Sequence, residues 1–174
     1  MKYAAFLRGV NVGGRIIRMA DLKTCLEKAG FFSDVKTYLQ SGNVTFESDN
    51  NEAELKKQIE TLLTKTFNYP AKAQVIPMDN LRKIIDSNPF SSASADYHQY
   101  VIFIENDLET KLVAEAGKQL GEEVKAGHGV VYWKVMKGQT LKSPFAKLLT
   151  KSKYKDFNTN RNINTLQKIA ASGQ

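Results

Sequence analysis

Three short stretches of this chain combine arginine, asparagine or glutamine with glycine or tight-turn residues, a mixture suited to holding an anion. The first is FLRGVNVGG, residues 6–14, followed at once by Arg15. Gly9, Gly13 and Gly14 let the backbone turn so that several N–H groups point the same way, as in an anion-binding nest. Arg8 and Arg15 offer forked donors to a phosphate or carboxylate. The loop leads into a helical pattern, whose N-terminal end also favours negative charge. It is not a P-loop, because no Gly-Lys-Ser/Thr follows, and its glycines lack the dinucleotide-binding spacing. The competing reading is a glycine-rich turn that serves chain geometry alone.

The second stretch is YLQSGNVTF, residues 38–46, in which Gln40, Ser41, Gly42 and Asn43 crowd polar groups onto a hairpin turn. A bare turn needs only Ser-Gly or Asn-Gly, so Gln40 is the addition; ligand contact and a turn-only role both stay open. The third is NTNRNINT, residues 158–165. Asn160, Arg161, Asn162 and Asn164 are expected at the start of the last helix, where asparagine is a good cap. Arginine in a first turn opposes the helix dipole, a cost that makes sense if Arg161 points at an anion.

Other reactive residue types form no constellation. His98 and His128 stand 30 residues apart, without zinc-ligand spacing. The single cysteine, Cys25, continues the apolar face of Leu22 and Leu26 and is expected to be a buried thiol; it excludes an internal disulfide. Glu122 and Glu123 are adjacent and would point to opposite faces of a strand. No nucleophile–base pair emerges, so whether the protein catalyses a reaction is left open. No metal or cofactor is expected.

The elements that must position these motifs follow from periodicity. Residues 2–8 read as a buried strand, and Met19, Leu22, Leu26 and Ala29 recur at helical spacing before a capping Gly30. Residues 34–40 and 43–47 form a hairpin about Ser41-Gly42. Asn51 and Glu54 resemble a capping box ahead of a helix with Leu55, Ile59, Leu62 and Leu63 on one face. A short strand, Ala73–Ile76, follows. The order is β-α-β-β-α-β, the split ferredoxin-like unit. Asp79 is expected to cap a short connecting helix that stops at Asn88-Pro89, and residues 91–96 (SSASAD) read as a linker.

The pattern then restarts. Tyr100–Glu105 is an apolar strand, Asp107 is expected to cap a helix, and residues 122–127 and 129–136 form a hairpin about His128-Gly129. Ser143-Pro144 starts another helix. A strand near 155–158 and a helix from about Arg161 complete the second half. The fold class is therefore α+β: tandem ferredoxin-like subdomains with antiparallel sheets, residues 1–90 and 97–174, the latter with a C-terminal helix. Such a sheet is also the scaffold of the RNA recognition motif. The strand 43–46 lacks the basic-Gly-aromatic run of that module, and Tyr132 and Trp133 are neighbours on one strand. The classical module is thus disfavoured; looser binding through basic surfaces stays open.

Composition sets outer bounds. The chain has 174 residues, 42% hydrophobic and 25% charged, as in an ordinary globular protein. Net charge is +7 but uneven: residues 124–174 hold ten Lys/Arg against one acid, and residues 1–20 hold four against none. A basic face would attract phosphates or nucleic acid, or would merely solvate the protein. No run approaches the roughly 20 apolar residues of a membrane span, and no cleavable leader is evident, so a cytoplasmic location is expected.

The motifs LRGVNVGG (7–14), MADL (19–22), YLQSGNV (38–44) and TNRNINT (159–165), in that order, resemble the bacterial domain-of-unknown-function 1697 family. Ile163 stands where the family's late motif usually has tryptophan. The resemblance implies an α+β fold of tandem ferredoxin-like halves and no assigned activity. It makes the three polar motifs more plausible as parts of one site. Arg8, Asn11, Gly13, Gly14 and Arg15 would form one wall, Gln40, Ser41, Gly42 and Asn43 a second, and Arg161 and Asn162 a third. The partner would be a phosphate-bearing small molecule or nucleic acid. The alternative is a structural or protein-interaction module in which the motifs serve the fold.

Overall fold

Strands buried along most of their length build the first half of the chain. The computed structural model describes residues 1–117 and 121–172. Strand β1 (Lys2–Arg8) is followed by helix α1 (Met19–Lys28), β2 (Ser33–Tyr38), β3 (Asn43–Glu47), α2 (Glu52–Phe67), β4 (Lys72–Pro77) and α3 (Met78–Asp86). The four strands form one antiparallel sheet in the order β2-β3-β1-β4. Tyr3, Ala5 and Leu7 of β1 join Val44, Phe46, Ala73 and Val75 on one face, against Leu22 and Leu26 of α1 and Leu55, Ile59 and Leu63 of α2. Each buried Val, Leu, Ile or Phe among them stabilises the fold by about 1.5–3 kcal/mol. That packing fixes where β1 ends and hence where the glycine loop begins.

Local chemistry ends the helices where expected. Gly30, at φ +78°, follows the last turn of α1. The Asn51 side chain accepts a hydrogen bond from the Glu54 amide at 3.0 Å, capping α2. At the other end of α2, Asn68 adopts the left-handed conformation (φ 51°), which turns the chain into Tyr69.

The second half consists of β5 (Tyr97–Ile104), α4 (Glu109–Ala116), β6 (Glu122–Ala126), β7 (Val130–Met136), α5 (Pro144–Leu149), α6 (Ser152–Lys155), β8 (Asn158–Asn162) and α7 (Ile163–Ala171). Its sheet is also antiparallel, in the order β6-β7-β5-β8. Ile102, Ile104, Val131, Trp133 and Val135 pack against Leu112, Phe145, Leu148, Leu149 and Tyr154. Ser143 caps α5 by accepting from the Ala146 amide at 3.0 Å, with Pro144 at the first helical position. The contacts divide the chain into two compact units, residues 1–82 with the chain end from Ile169, and residues 83–168. The protein is thus a mixed α and β structure with two four-stranded antiparallel sheets.

Four local expectations are corrected. Asp79 lies inside α3 and pairs with Arg82 at 3.0 Å rather than capping the helix. Asp107 has φ 52° and precedes Leu108, which occupies the cap position of α4 without a side-chain bond. Cys25 is half-buried rather than buried, and its thiol donates to Thr66 Oγ1 at 3.5 Å. The last strand runs later than 155–158: Lys155 ends α6, and β8 includes Arg161, which pairs with Val101 of β5. Asn158 fixes the start of β8 by donating to Leu149 O (3.2 Å) and Tyr154 O (2.7 Å). Helix α7 begins only at Ile163, after Asn162, whose Oδ1 accepts from the Asn164 amide at 2.9 Å.

Candidate functional site

The end of β1 and the β2–β3 turn are tied together by backbone and side chain alike. The Leu7 amide donates to Gly42 O at 2.8 Å, and Asn11 Nδ2 donates to Gln40 O at 2.6 Å. Asn11 Oδ1 also accepts from the Ile17 amide at 2.8 Å, closing the loop 9–18 upon itself. Gly42 is required by close approach. Its φ is +74°, and a Cβ added there would lie 3.0 Å from both Leu7 Cβ and Val10 Cγ2. Beside it, Asn43 is fully buried and its amide donates to Tyr38 O at 3.0 Å and Ser41 Oγ at 2.8 Å. Asn11, Gly42 and Asn43 therefore hold the loop and the turn as one assembly.

Along the loop, φ is positive at Gly9 (+69°), Asn11 (+57°), Gly13 (+64°) and Gly14 (+81°) and negative at Val10 and Val12, so its sign alternates from Gly9 to Gly13 and no further. Alternation of this kind turns successive N–H groups toward a common side, the geometry of an anion nest. The amides of Gly13 and Gly14 donate to no acceptor among the described residues, and both glycines are exposed. Arg15 folds back over the loop. Its Nη1 donates to Gly9 O at 3.3 Å, and its guanidinium carbon lies 4.6 Å from the centroid of the Tyr69 ring.

Tyr69 is a residue that motif reading missed. It is buried, and its hydroxyl has no hydrogen-bond partner among the described residues. Burial pushes its phenol pKa up, partly opposed by the Arg15 charge. Its ring also backs Gly9, where an added Cβ would lie 3.4 Å from Cε2. The available signal was local: Asn68-Tyr69-Pro70 directly follows the α2 periodicity. Arg8, half-buried at the end of β1, stands opposite Lys72 of β4 in the ladder. Like charges directly opposite on a sheet are destabilising, and among the described residues Lys72 finds Glu60 at 4.0 Å as its counter-charge.

Nine of the sequence-derived residues thus fall within the first unit: Arg8, Asn11, Gly13, Gly14, Arg15, Gln40, Ser41, Gly42 and Asn43. Arg161 and Asn162 belong to the second unit, on β8. Arg161 Nη1 donates to Asn160 O at 2.8 Å, and being on a strand the residue meets no unfavourable helix dipole. Asn162 acts as the α7 cap described above.

The arrangement offers donors and positive charge rather than acid–base machinery. Among the described residues no group of three or more His, Cys, Asp or Glu is placed to hold a metal ion. Phe6, Phe46, Tyr132 and Trp133 are all buried, so these four aromatics are not available for base stacking. No helix among the described residues is long and apolar enough to cross a membrane.

Comparison with known proteins follows the same lines. Among solved structures, a conserved bacterial protein from Streptococcus pneumoniae superposes with a TM-score of 0.80 at 24% identity, covering 98% of this chain and 97% of its own. At that identity the likeness speaks for the fold alone. No protein of curated function matches the chain. The model of a family described as a protein of unknown function, DUF1697, matches residues 1–132. With that match extending from LRGVNVGG through YLQSGNV, the chain belongs to the DUF1697 family.

Proposed function

We propose that the protein binds a phosphate-bearing anion at the β1–α1 loop of its first unit. Arg8 and Arg15 would supply charge, and the Gly13 and Gly14 amides would supply the cradle. Asn11, Gln40, Ser41, Gly42 and Asn43 would brace it from the hairpin turn. One observation carries this reading. The corresponding loop of the second unit, residues 105–108, joins the same two elements of its unit in fewer residues and without arginine or glycine. The ten-residue Arg/Gly loop therefore exceeds what the connection requires. Arg161 remains a candidate anion contact in its own right. Each unit is read as a ferredoxin-like module, on the grounds of its element order and strand order. A cytoplasmic location suits such a protein.

Asn11, Gly42 and Asn43 favour a second reading, a structural or protein-interaction module, because their contacts serve the fold. The exposed Gly13 and Gly14 amides, which donate to no acceptor among the described residues, are not accounted for by that role. Thermal shifts with inorganic phosphate, nucleotides and short oligonucleotides separate the two, for wild type and for Arg8→Ala. A ligand at a hundredfold excess over its Kd stabilises by about 2.7 kcal/mol. In a chain of this size that raises Tm by about 5–10 °C. We expect the shift in wild type and its loss in Arg8→Ala. Equal shifts in both proteins, or none in either, would contradict the reading. Salt distinguishes ligand classes: neutralising about five backbone phosphates gives a log–log slope near −4 to −5, whereas a small anion gives a shallow one.

A further inference from the structure

A second surface of the first unit has the makings of a peptide-docking groove. Where α1 ends and the chain enters β2, Ala29, Phe31 and Phe32 meet Leu62 of α2 around an almost wholly apolar cleft of about 330 Å³. Phe31 is 51% exposed, an unusual position for a phenylalanine with apolar neighbours so close. Ala29 and Leu62 also line a neighbouring, more polar cleft of about 410 Å³ that carries Thr24, Lys28 and Thr66. Lys57 and Lys65 line the apolar cleft from α2. Both are exposed, as is Lys28 next door, and none of the three has an ion-pair partner among the described residues. Their carboxylate neighbours are engaged elsewhere: Asp21 with Arg18, Glu27 with Lys23, and Glu60 with Lys72.

We infer that this groove docks an acidic peptide segment carrying one bulky apolar side chain. Charge complementarity selects the occupant, since an apolar floor between unpartnered ammonium groups matches an apolar anchor flanked by carboxylates. The helix sets the spacing. Lys57 and Lys65 are eight residues apart on α2, about 12 Å along its axis. An extended peptide advances about 3.3 Å per residue, so positions i and i+4 span about 13 Å. In an extended strand i, i+2 and i+4 face the same side. The favoured occupant therefore reads acidic-x-apolar-x-acidic, with the central side chain seated beside Phe31 and Leu62 and a carboxylate at each lysine. This surface is separate from the glycine loop, and its occupant does not depend on what that loop binds.

The test uses a fluorescein-labelled heptapeptide, Ser-Glu-Ser-Phe-Ser-Glu-Ser, titrated with the full chain and read by anisotropy. Controls replace its Phe by Ser or both Glu by Lys. Saturable binding is expected for the first peptide only, weakening severalfold as salt rises from about 50 to 300 mM. Affinity should fall about tenfold or more in K57E/K65E and again in F31S. These side chains are exposed, so both variants should fold, and circular dichroism checks that they do. No saturable binding up to about 1 mM, or equal binding by wild type and both variants, would overturn the proposal. So would displacement-free binding of decanoate with none of the peptide, which would assign the cleft to a small amphiphile. Self-association lost in F31S without peptide binding would assign it to a second copy and equally overturn it.

Discussion

The two units solve the same connection differently. In each, the strand third in sheet order runs into the first helix, and the end of that strand is tied to a hairpin turn. The Leu7 amide reaches Gly42 O at 2.8 Å in the first unit, and the Ile104 amide reaches Gly129 O at 3.3 Å in the second. The side-chain reinforcement then diverges. The first unit uses Asn11, a neutral amide bridging to Gln40 O, whereas the second uses Glu109, whose Oε1 accepts from the Gly129 amide at 3.0 Å. Glu105, Asn106 and Asp107 occupy the second loop where Arg8, Gly13, Gly14 and Arg15 mark the first. A tie between loop and turn is thus the architectural need, and a neutral amide or a carboxylate satisfies it. The length of the first loop and its exposed Gly13 and Gly14 amides are not part of that need, which is the ground for the proposed anion site.

Substitutions at the turns should separate the units most sharply. Gly42→Ala meets both positive-φ strain and contacts at 3.0 Å with Leu7 and Val10, whereas a Cβ on Gly129 meets nothing within 4 Å. We expect Gly42→Ala to cost about 2–4 kcal/mol and Gly129→Ala about 1–2 kcal/mol in urea unfolding. Equal costs would show that the close packing beneath Gly42 is immaterial. Next in size is Asn11→Ala, which removes hydrogen bonds to Gln40 O and from the Ile17 amide and should cost about 1–3 kcal/mol. Glu109→Ala should cost less, about 1 kcal/mol or below, because its second carboxylate oxygen is buried without a partner among the described residues and its loss offsets part of the lost bond. The same unfolding experiment ranks the pair.

The smallest effect concerns pH. Burial, reinforced by the Glu115 carboxylate, pushes the Tyr154 phenol of the second unit up to about 12. A raised folded-state pKa means stability fully present below the unfolded value near 10 and lost as pH rises from about 10 to about 12. Tyr69 in the first unit shifts the same way, with Arg15 opposing. Urea midpoints should therefore decline above about pH 10, and Tyr154→Phe should flatten that decline more than Tyr69→Phe. The reverse ranking would mean that Arg15 does not temper Tyr69.

Periodicity made most elements legible before any coordinates. The apolar faces of α1 and α2, the Asn51 and Ser143 caps and both hairpins all have local signatures, because period, cap and turn chemistry act within a few residues. The misplaced pieces depend on distant partners. Asn-Thr-Asn-Arg-Asn carries no apolar alternation, and it becomes β8 only because β5 offers it a ladder and Asn158 ties it to α5 and α6. Asp107 resembles a cap in composition, but its left-handed backbone places Leu108 at that position. Of the candidate site, the Arg, Gly and Asn residues were legible as motifs. The Arg15–Tyr69 contact was not, because it joins residues far apart in sequence that meet only once α2 is docked.

The central claim is that the loop from Gly9 to Gly14 cradles an anion with Arg8 and Arg15. Its most direct measurement is a titration of the uniformly ¹⁵N-labelled full chain with inorganic phosphate and AMP, following the amide resonances of Gly13 and Gly14. The account predicts saturable downfield shifts of these two amides, shared by Arg15 side-chain N–H signals and abolished in Arg8→Ala. Gly13 and Gly14 resonances that stay fixed while either anion saturates elsewhere on the protein would contradict it.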